Sequence, residues 1–136
     1  MQTFLPYPDF GASAHVLDWR RLGKQRIECL QILRTLTSQS DGWQHHPAVA
    51  MWRGHENALT LYGVCVCLEW RHRGYADTCL DKILAMTPQT PYVAPPWLDD
   101  PAFHASHRAA LLAKDPEWYG RWGWNEKPET AYVWPR

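Results

Sequence analysis

The sequence predicts an all-α fold, one compact domain over residues 1–136 with three main helices, an extended N-terminal arm and an aromatic, turn-rich C-terminal tail. Three observations predict it. Two long runs carry helical periodicity with few breakers, prolines crowd the segments between and before them, and 136 residues at 46% hydrophobic content suffice for one core but not two.

The opening Met1 to Phe10 contains Pro6 and Pro8, which forbid a regular helix and favour an extended arm. Asp9, Ser13 or Asp18 can cap a helix. Asp18 is best placed, because WRRLGKQRIECLQILRTL follows it without a breaker and forms the first long helix. Gly42 and Pro47 bracket a short connection. AVAMWRGHENALTLYGVCVCLEWRHRG then reads as a second long helix ending at Gly74, with its two internal glycines marking close packing. A weaker helical segment spans Asp77 to Leu84, and the proline-rich TPQTPYVAPPW that follows is a connector. Asp100 as N-cap with Pro101 at the first helical position launches PAFHASHRAALLAK, the third helix, which stops before Pro116. The aromatic tail is expected to pack back over the helices, since exposed it would aggregate.

Fourteen basic residues balance fourteen acidic ones, so no global field draws the chain to a polyanion, and any nucleic-acid site must be local. No stretch approaches the roughly 20 uninterrupted apolar residues of a membrane span, and the first residues lack the basic and apolar regions of a secretory leader. The expectation is a soluble cytoplasmic protein. Cys29, Cys65, Cys67 and Cys79 lie in helical segments without a C-x-x-C pair and read as reduced core thiols. His45 and His46, His55 beside Glu56, and the pair His104 and His107 match no H-E-x-x-H or zinc framework. The residues point to no metal and no cofactor.

Two charges fall inside apolar stripes. On the first helix Trp19, Leu22, Cys29, Leu30 and Leu33 form a face with Arg26 in its middle. On the second, Val49, Trp52, Leu59, Gly63, Val66 and Trp70 form a face with Glu56 near its centre. A buried unpaired charge costs several kcal/mol as an order of magnitude, so the two are expected to pair. The pair has two compatible readings, a structural bridge between helices or a catalytic carboxylate held by an arginine. On the third helix His104, His107 and Arg108 share a face with Leu111 and are expected to line the same cleft. Arg21, Gln25 and Glu28 form a polar row beside the first stripe, and the basic cluster in WRRLGKQR, Lys24 included, is the candidate phosphate contact.

The blocks VLDWRRLGKQRIECL, GWQHHPAVAMWRGHENAL, RHRGY and SHRAALLAKDPEWYGRWGW, with the closing YVWP, resemble the pyrimidine-dimer DNA glycosylase family of endonuclease V type. The resemblance implies an all-α fold of three main helices with an N-terminal arm threaded between them. It also implies a bifunctional glycosylase/lyase, in which the terminal amine attacks the sugar C1′, a glutamate on the first helix assists, and a Schiff base precedes strand cleavage. Here the amine is expected to be that of Met1, because the bulky Gln2 should block removal of the initiator methionine. Aligning LGKQRIE on the family motif puts Arg26 on the active-site arginine and Ile27 where the glutamate is expected. Glu28 points to another side of the helix, so the buried-face argument turns to Glu56.

The resulting expectation is an enzyme of DNA glycosylase or glycosylase/AP lyase type acting on a damaged or modified base. Met1, Arg26 and Glu56 would do the chemistry; Arg21, Lys24, Gln25, Trp52, His104, His107 and Arg108 would contact substrate, Trp52 by stacking on the displaced base or filling its space. DNA is the expected partner, through the local basic patch, and a monomer the expected state. Two rivals come from other classes, a non-catalytic DNA or nucleotide binding module on the same scaffold and an enzyme acting on free nucleotides or nucleosides.

Overall fold

The computed structural model describes residues 1–37 and 43–135. Among them the chain is all-helical and contains no strand. The order is α1 (Phe10–Val16), α2 (Trp19–Leu36), α3 (Pro47–Ala50), α4 (Glu56–His72), α5 (Leu80–Ala85), α6 (Pro101–Lys114) and α7 (Pro116–Tyr119), followed by a 3-10 turn, Gly120–Trp122. Gly42, expected to open the connection after the first long helix, lies outside the described residues.

Capping fixes the boundaries. Asp9 and Asp18 both act, accepting from Ala12 N–H and Arg21 N–H, so a short helix α1 follows the arm and precedes α2, where the sequence reading offered the three residues as alternative caps of one helix. Asp100 accepts from Ala102 N–H with Pro101 at the start of α6. The expected second long helix is instead two. The chain turns at Met51–Gly54, where Gly54 takes φ +83°, a left-handed conformation that ends a helix, and α4 restarts at Glu56. Gly54 therefore serves the backbone, whereas Gly63 serves packing: an added Cβ there would stand 3.1 Å from Ile83 Cδ1 and 3.4 Å from Cys29 Cβ.

The core sits between α2 and α4, with α1 and α5 packed on α4. Gly23 lets the Trp70 ring lie against the α2 backbone, since a Cβ there would come within 2.9 Å of the indole. Trp19 falls outside the buried stripe, which begins at Leu22; it is 54% exposed, with the Arg20 guanidinium over its ring. All four cysteines are free thiols, and burial pushes Cys67 up to about 12. Among the described residues no helix is long and apolar enough to cross a membrane.

The tail packs back as expected. Arg108 takes Glu126 in a bidentate pair, Glu129 N–H donates to Ala109 O and Val133 N–H to Ser106 Oγ, so residues 126–133 run as a strap along α6.

Candidate active site

The first six residues form an extended arm that runs through the interior, and its main chain is held mostly by side chains. Gln2 N–H donates to Glu28 Oε2 (2.7 Å), Gln25 Nε2 donates to Gln2 O (2.7 Å), and Phe4 N–H donates back to Gln25 Oε1 (2.7 Å). One glutamine thus acts on the arm as a neighbouring strand would. Tyr62 Oη donates to Phe4 O, and Trp52 Nε1 donates to Thr3 Oγ1 (3.0 Å). Farther along, Leu5 N–H donates to His107 Nδ1 (2.9 Å), His104 Nδ1 donates to Leu5 O (2.7 Å), and an Arg108 N–H donates to Pro6 O (2.7 Å). Gln2, Thr3, Phe4 and Leu5 are all buried, so each bond satisfies a group cut off from water.

The arm delivers the chain's amine to a cleft. Met1 N stands 4.0 Å from Glu28 Oε2, the oxygen that also accepts Gln2 N–H. Glu28 is buried, on the face of α2 that meets the arm. The surrounding cleft has a volume of about 470 Å³ and is lined by Met1, Gln2, Phe4, Arg20, Arg21, Lys24, Glu28, Lys114 and Tyr132. Four of these nine are cations and Glu28 is the one carboxylate, so the opening suits a polyanion and the floor suits proton transfer. His46 caps α3 by accepting Ala48 N–H on Nδ1. Its pKa is lowered by burial and by the positive charge of the Met1 amine, with Glu28 pulling the other way, so its imidazole lies within electrostatic reach of both.

The family model of the pyrimidine dimer DNA glycosylases matches residues 1–83, which hold the arm, the amine and Glu28. The chain belongs to this family. A search of the curated proteins and a search of the solved structures each found no match. The pyrimidine dimer DNA glycosylases are enzymes, and the family implies a DNA substrate.

In this family member the expected Arg26–Glu56 pair does not form. Arg26 donates to Asp77 Oδ1 at 2.6 Å and its guanidinium lies 4.5 Å over the Trp70 ring. Asp77, in the connector between α4 and α5, is fully buried at its side chain. Burial alone would raise its carboxyl, but hydrogen bonds from Arg26 and from Leu80 and Cys79 N–H hold it below the ordinary value. Glu56 instead accepts Gly54 N–H at 3.1 Å, because α4 begins at Glu56 and its first turn is not packed as mid-helix periodicity assumed.

Of the other expected contact residues, Arg21 and Lys24 line the cleft. Arg21 also bonds Asp18 Oδ1 at 3.1 Å, which together with the Tyr119 hydroxyl overcomes burial and lowers the Asp18 pKa. Gln25, Trp52, His104, His107 and Arg108 are occupied elsewhere, gripping the arm. Trp52 is fully buried and stacks on Tyr62, leaving no face for a base. The helix-three residues do point inward, but to the arm. The cleft is also lined by Glu28, Arg20, Lys114, Gln2 and Tyr132, which sequence reasoning did not place in a site. The polar row through Arg21, Gln25 and Glu28 was the signal for the first, because a row beside the apolar stripe is where a buried polar strand can dock.

Proposed function

We propose that this protein is a DNA glycosylase/AP lyase for a damaged or modified base, with the Met1 α-amine as nucleophile and Glu28 as the carboxylate that takes its proton. The single observation that carries this reading is the approach of Met1 N to Glu28 Oε2 at the floor of a basic cleft. Once its proton has passed to Glu28, the amine carries a lone pair that can attack an electrophilic sugar carbon. Attack at C1′ forms the N–C1′ bond and releases the base with the electron pair of the glycosidic bond. Glu28, having given its first proton to the base or to water, accepts the proton the amine then sheds; the nitrogen lone pair opens the sugar by breaking the C1′–O4′ bond, with O4′ taking a proton from that acid or from water, and the resulting imine acidifies the C2′ proton whose loss expels the 3′ phosphate.

Arg20, Arg21, Lys24 and Lys114 would hold the strand's phosphates around the cleft, so a chain of zero net charge can still bind DNA locally. Gln25 and the histidines of α6 act through the arm, fixing the amine where it is used.

Borohydride trapping on duplex DNA with an abasic site tests the reading. A covalent adduct at Met1 is expected, lost when one residue is added before Met1 or the amine is acetylated. Salt-sensitive DNA binding with no adduct and no released base would replace the enzyme by a binding module.

A further inference from the structure

The side-chain amide of Gln2 takes no part in the reaction as described, yet it stands on a main chain held on both sides. Both sides of its α-carbon are fixed, with N–H on Glu28 Oε2 and C=O on Gln25 Nε2, each at 2.7 Å. Its own Oε1 accepts Thr3 N–H at 2.8 Å, which orients the amide and directs Nε2 away from the arm. Gln2 is 8% exposed, and Nε2 makes no hydrogen bond of ordinary geometry. Its polar neighbour there is the Tyr132 hydroxyl, which burial pushes up and the Gln2 amide draws partly back. A buried donor left without a well-aligned acceptor forfeits up to about 1–3 kcal/mol, and the loose contact with the Tyr132 hydroxyl leaves Nε2 open to a better partner.

We propose that the Gln2 amide receives the leaving base, its Nε2–H meeting the ring acceptor beside the glycosidic nitrogen, which is O2 of a pyrimidine or N3 of a purine. The assignment rests on the amine chemistry above and adds a contact to the base. Gln2 directly follows the attacking residue, its main-chain N–H shares the Glu28 oxygen with the Met1 amine, and the residue lines the same cleft, so its side chain borders the place C1′ would take, and the acceptor beside the glycosidic nitrogen is a base atom close to C1′. As the C1′–N bond breaks, its electron pair moves onto the base and spreads to that acceptor, where a preoriented donor stabilises it more than in the ground state. The Met1 amine supplies the pair that replaces it at C1′, its proton passes to Glu28, and the free base gains a proton from that acid or from water.

Tyr132 covers this donor in the free protein. It sits in the strap, tied to α6 by Val133 N–H to Ser106 Oγ at 3.0 Å, and its ring meets His107 edge-on and Trp134 tilted. An entering base displaces the hydroxyl from Nε2 and gains the phenol ring as a stacking face.

The test compares two reactions of the full chain in Gln2→Glu and Gln2→Met. Gln2→Glu keeps the acceptor for Thr3 N–H and removes the donor; Gln2→Met removes both without adding charge. Both keep a bulky second residue, and intact mass verifies that Met1 is retained; thermal unfolding verifies the fold. One reaction is glycosidic-bond scission on pooled genomic DNA carrying ultraviolet, alkylation, oxidation and deamination damage, read by mass spectrometry as free base or, for a dimer whose cleaved base stays joined to its neighbour, as the new abasic sugar in the strand. The other is borohydride trapping on an abasic duplex, which has no base to receive. In both variants release is expected to fall about a hundredfold further than trapping, as for loss of one transition-state donor, whatever the added carboxylate of Gln2→Glu does to both reactions alike. Equal losses in the two reactions would make Gln2 a positioning residue for the arm and overturn the proposal, as would unimpaired release. If the native chain forms the adduct but breaks no glycosidic bond in any of these DNAs, the glycosylase reading fails, and this one with it.

Discussion

His104 and His107 hold the two polar groups of one residue, Leu5, in opposite tautomers. His107 accepts Leu5 N–H on Nδ1, so its proton is on Nε2; His104 donates from Nδ1 to Leu5 O and accepts Asp99 N–H on Nε2. Neither arrangement survives a second proton, because a protonated His107 would turn a donor toward the Leu5 N–H. Burial, and then the neighbouring His104, pushes His107 down to about 3, and burial lowers His104 as well.

The sign of the pH effect follows. Unfolded histidine titrates near 6.5, so below that pH the unfolded chain binds protons that the folded one refuses, and stability present above pH 6.5 is lost toward pH 3. For His107 the slope approaches about 1.4 kcal/mol per pH unit. Urea unfolding at pH 7, 6 and 5 should show this loss. His107→Asn, which can still accept Leu5 N–H, should show a slope smaller by one proton between pH 6 and 5. Parallel profiles for the two proteins would refute the clamp.

Glu28 and Glu56 separate by function in the same assay. Glu28→Gln keeps an acceptor for Gln2 N–H but takes no proton from the amine, so adduct formation on abasic DNA should fall by about 10² to 10⁴. Glu56→Gln removes only a carboxylate that accepts Gly54 N–H, and adduct formation should stay within about twofold. The reverse ranking would return the proton acceptor to Glu56.

The division between what sequence reading reached and what it did not follows from chain continuity. The extents of α2 and α6 were legible because caps, prolines and periodicity are local signals: Asp18, Asp100 and Pro101 act where they stand. The arm was legible from Pro6 and Pro8. The partner of Arg26 was not, since Asp77 lies 51 residues away in a connector and carries no periodic signature. Glu28 was misjudged for a related reason. Helical periodicity sorts side chains into buried and exposed on the assumption that helices cover helices, whereas here an extended main chain, polar throughout, covers one side of α2. Its unpaired N–H and C=O groups require Gln25, Glu28, His104 and His107 on inward faces.

Arg26 should prove structural. Replacing it with Met leaves the Asp77 carboxylate buried with two backbone N–H donors and Arg71 at 3.5 Å. Breaking such a pair costs about 3–5 kcal/mol, and the remaining partners of Asp77 place the loss near the lower end. Arg26→Met combined with Asp77→Asn should recover part of it, because no charge is then stranded. Adduct yield per folded molecule should match the native chain, as Arg26 bonds Asp77 and Cys79 rather than the cleft. A yield lost at full stability would make Arg26 a member of the site.

Phosphate binding through the cleft rim makes a quantitative claim about salt. The rim cations come from two parts of the chain, Arg20, Arg21 and Lys24 on the first turns of α2 and Lys114 at the end of α6, and Arg21 is partly committed to Asp18. Each cation that meets a phosphate releases a condensed counterion, so affinity for a duplex falls with salt at a log–log slope of about 0.9 per contact. Lys24→Met and Lys114→Met should each weaken binding to any duplex sequence and reduce the slope by about one, with the effects additive. Arg53→Met, whose guanidinium bonds Gln44 O outside this cleft, should leave the slope unchanged. A slope lowered by Arg53→Met but not by Lys24→Met or Lys114→Met would move the strand to another face of the molecule and separate phosphate binding from the Met1 amine.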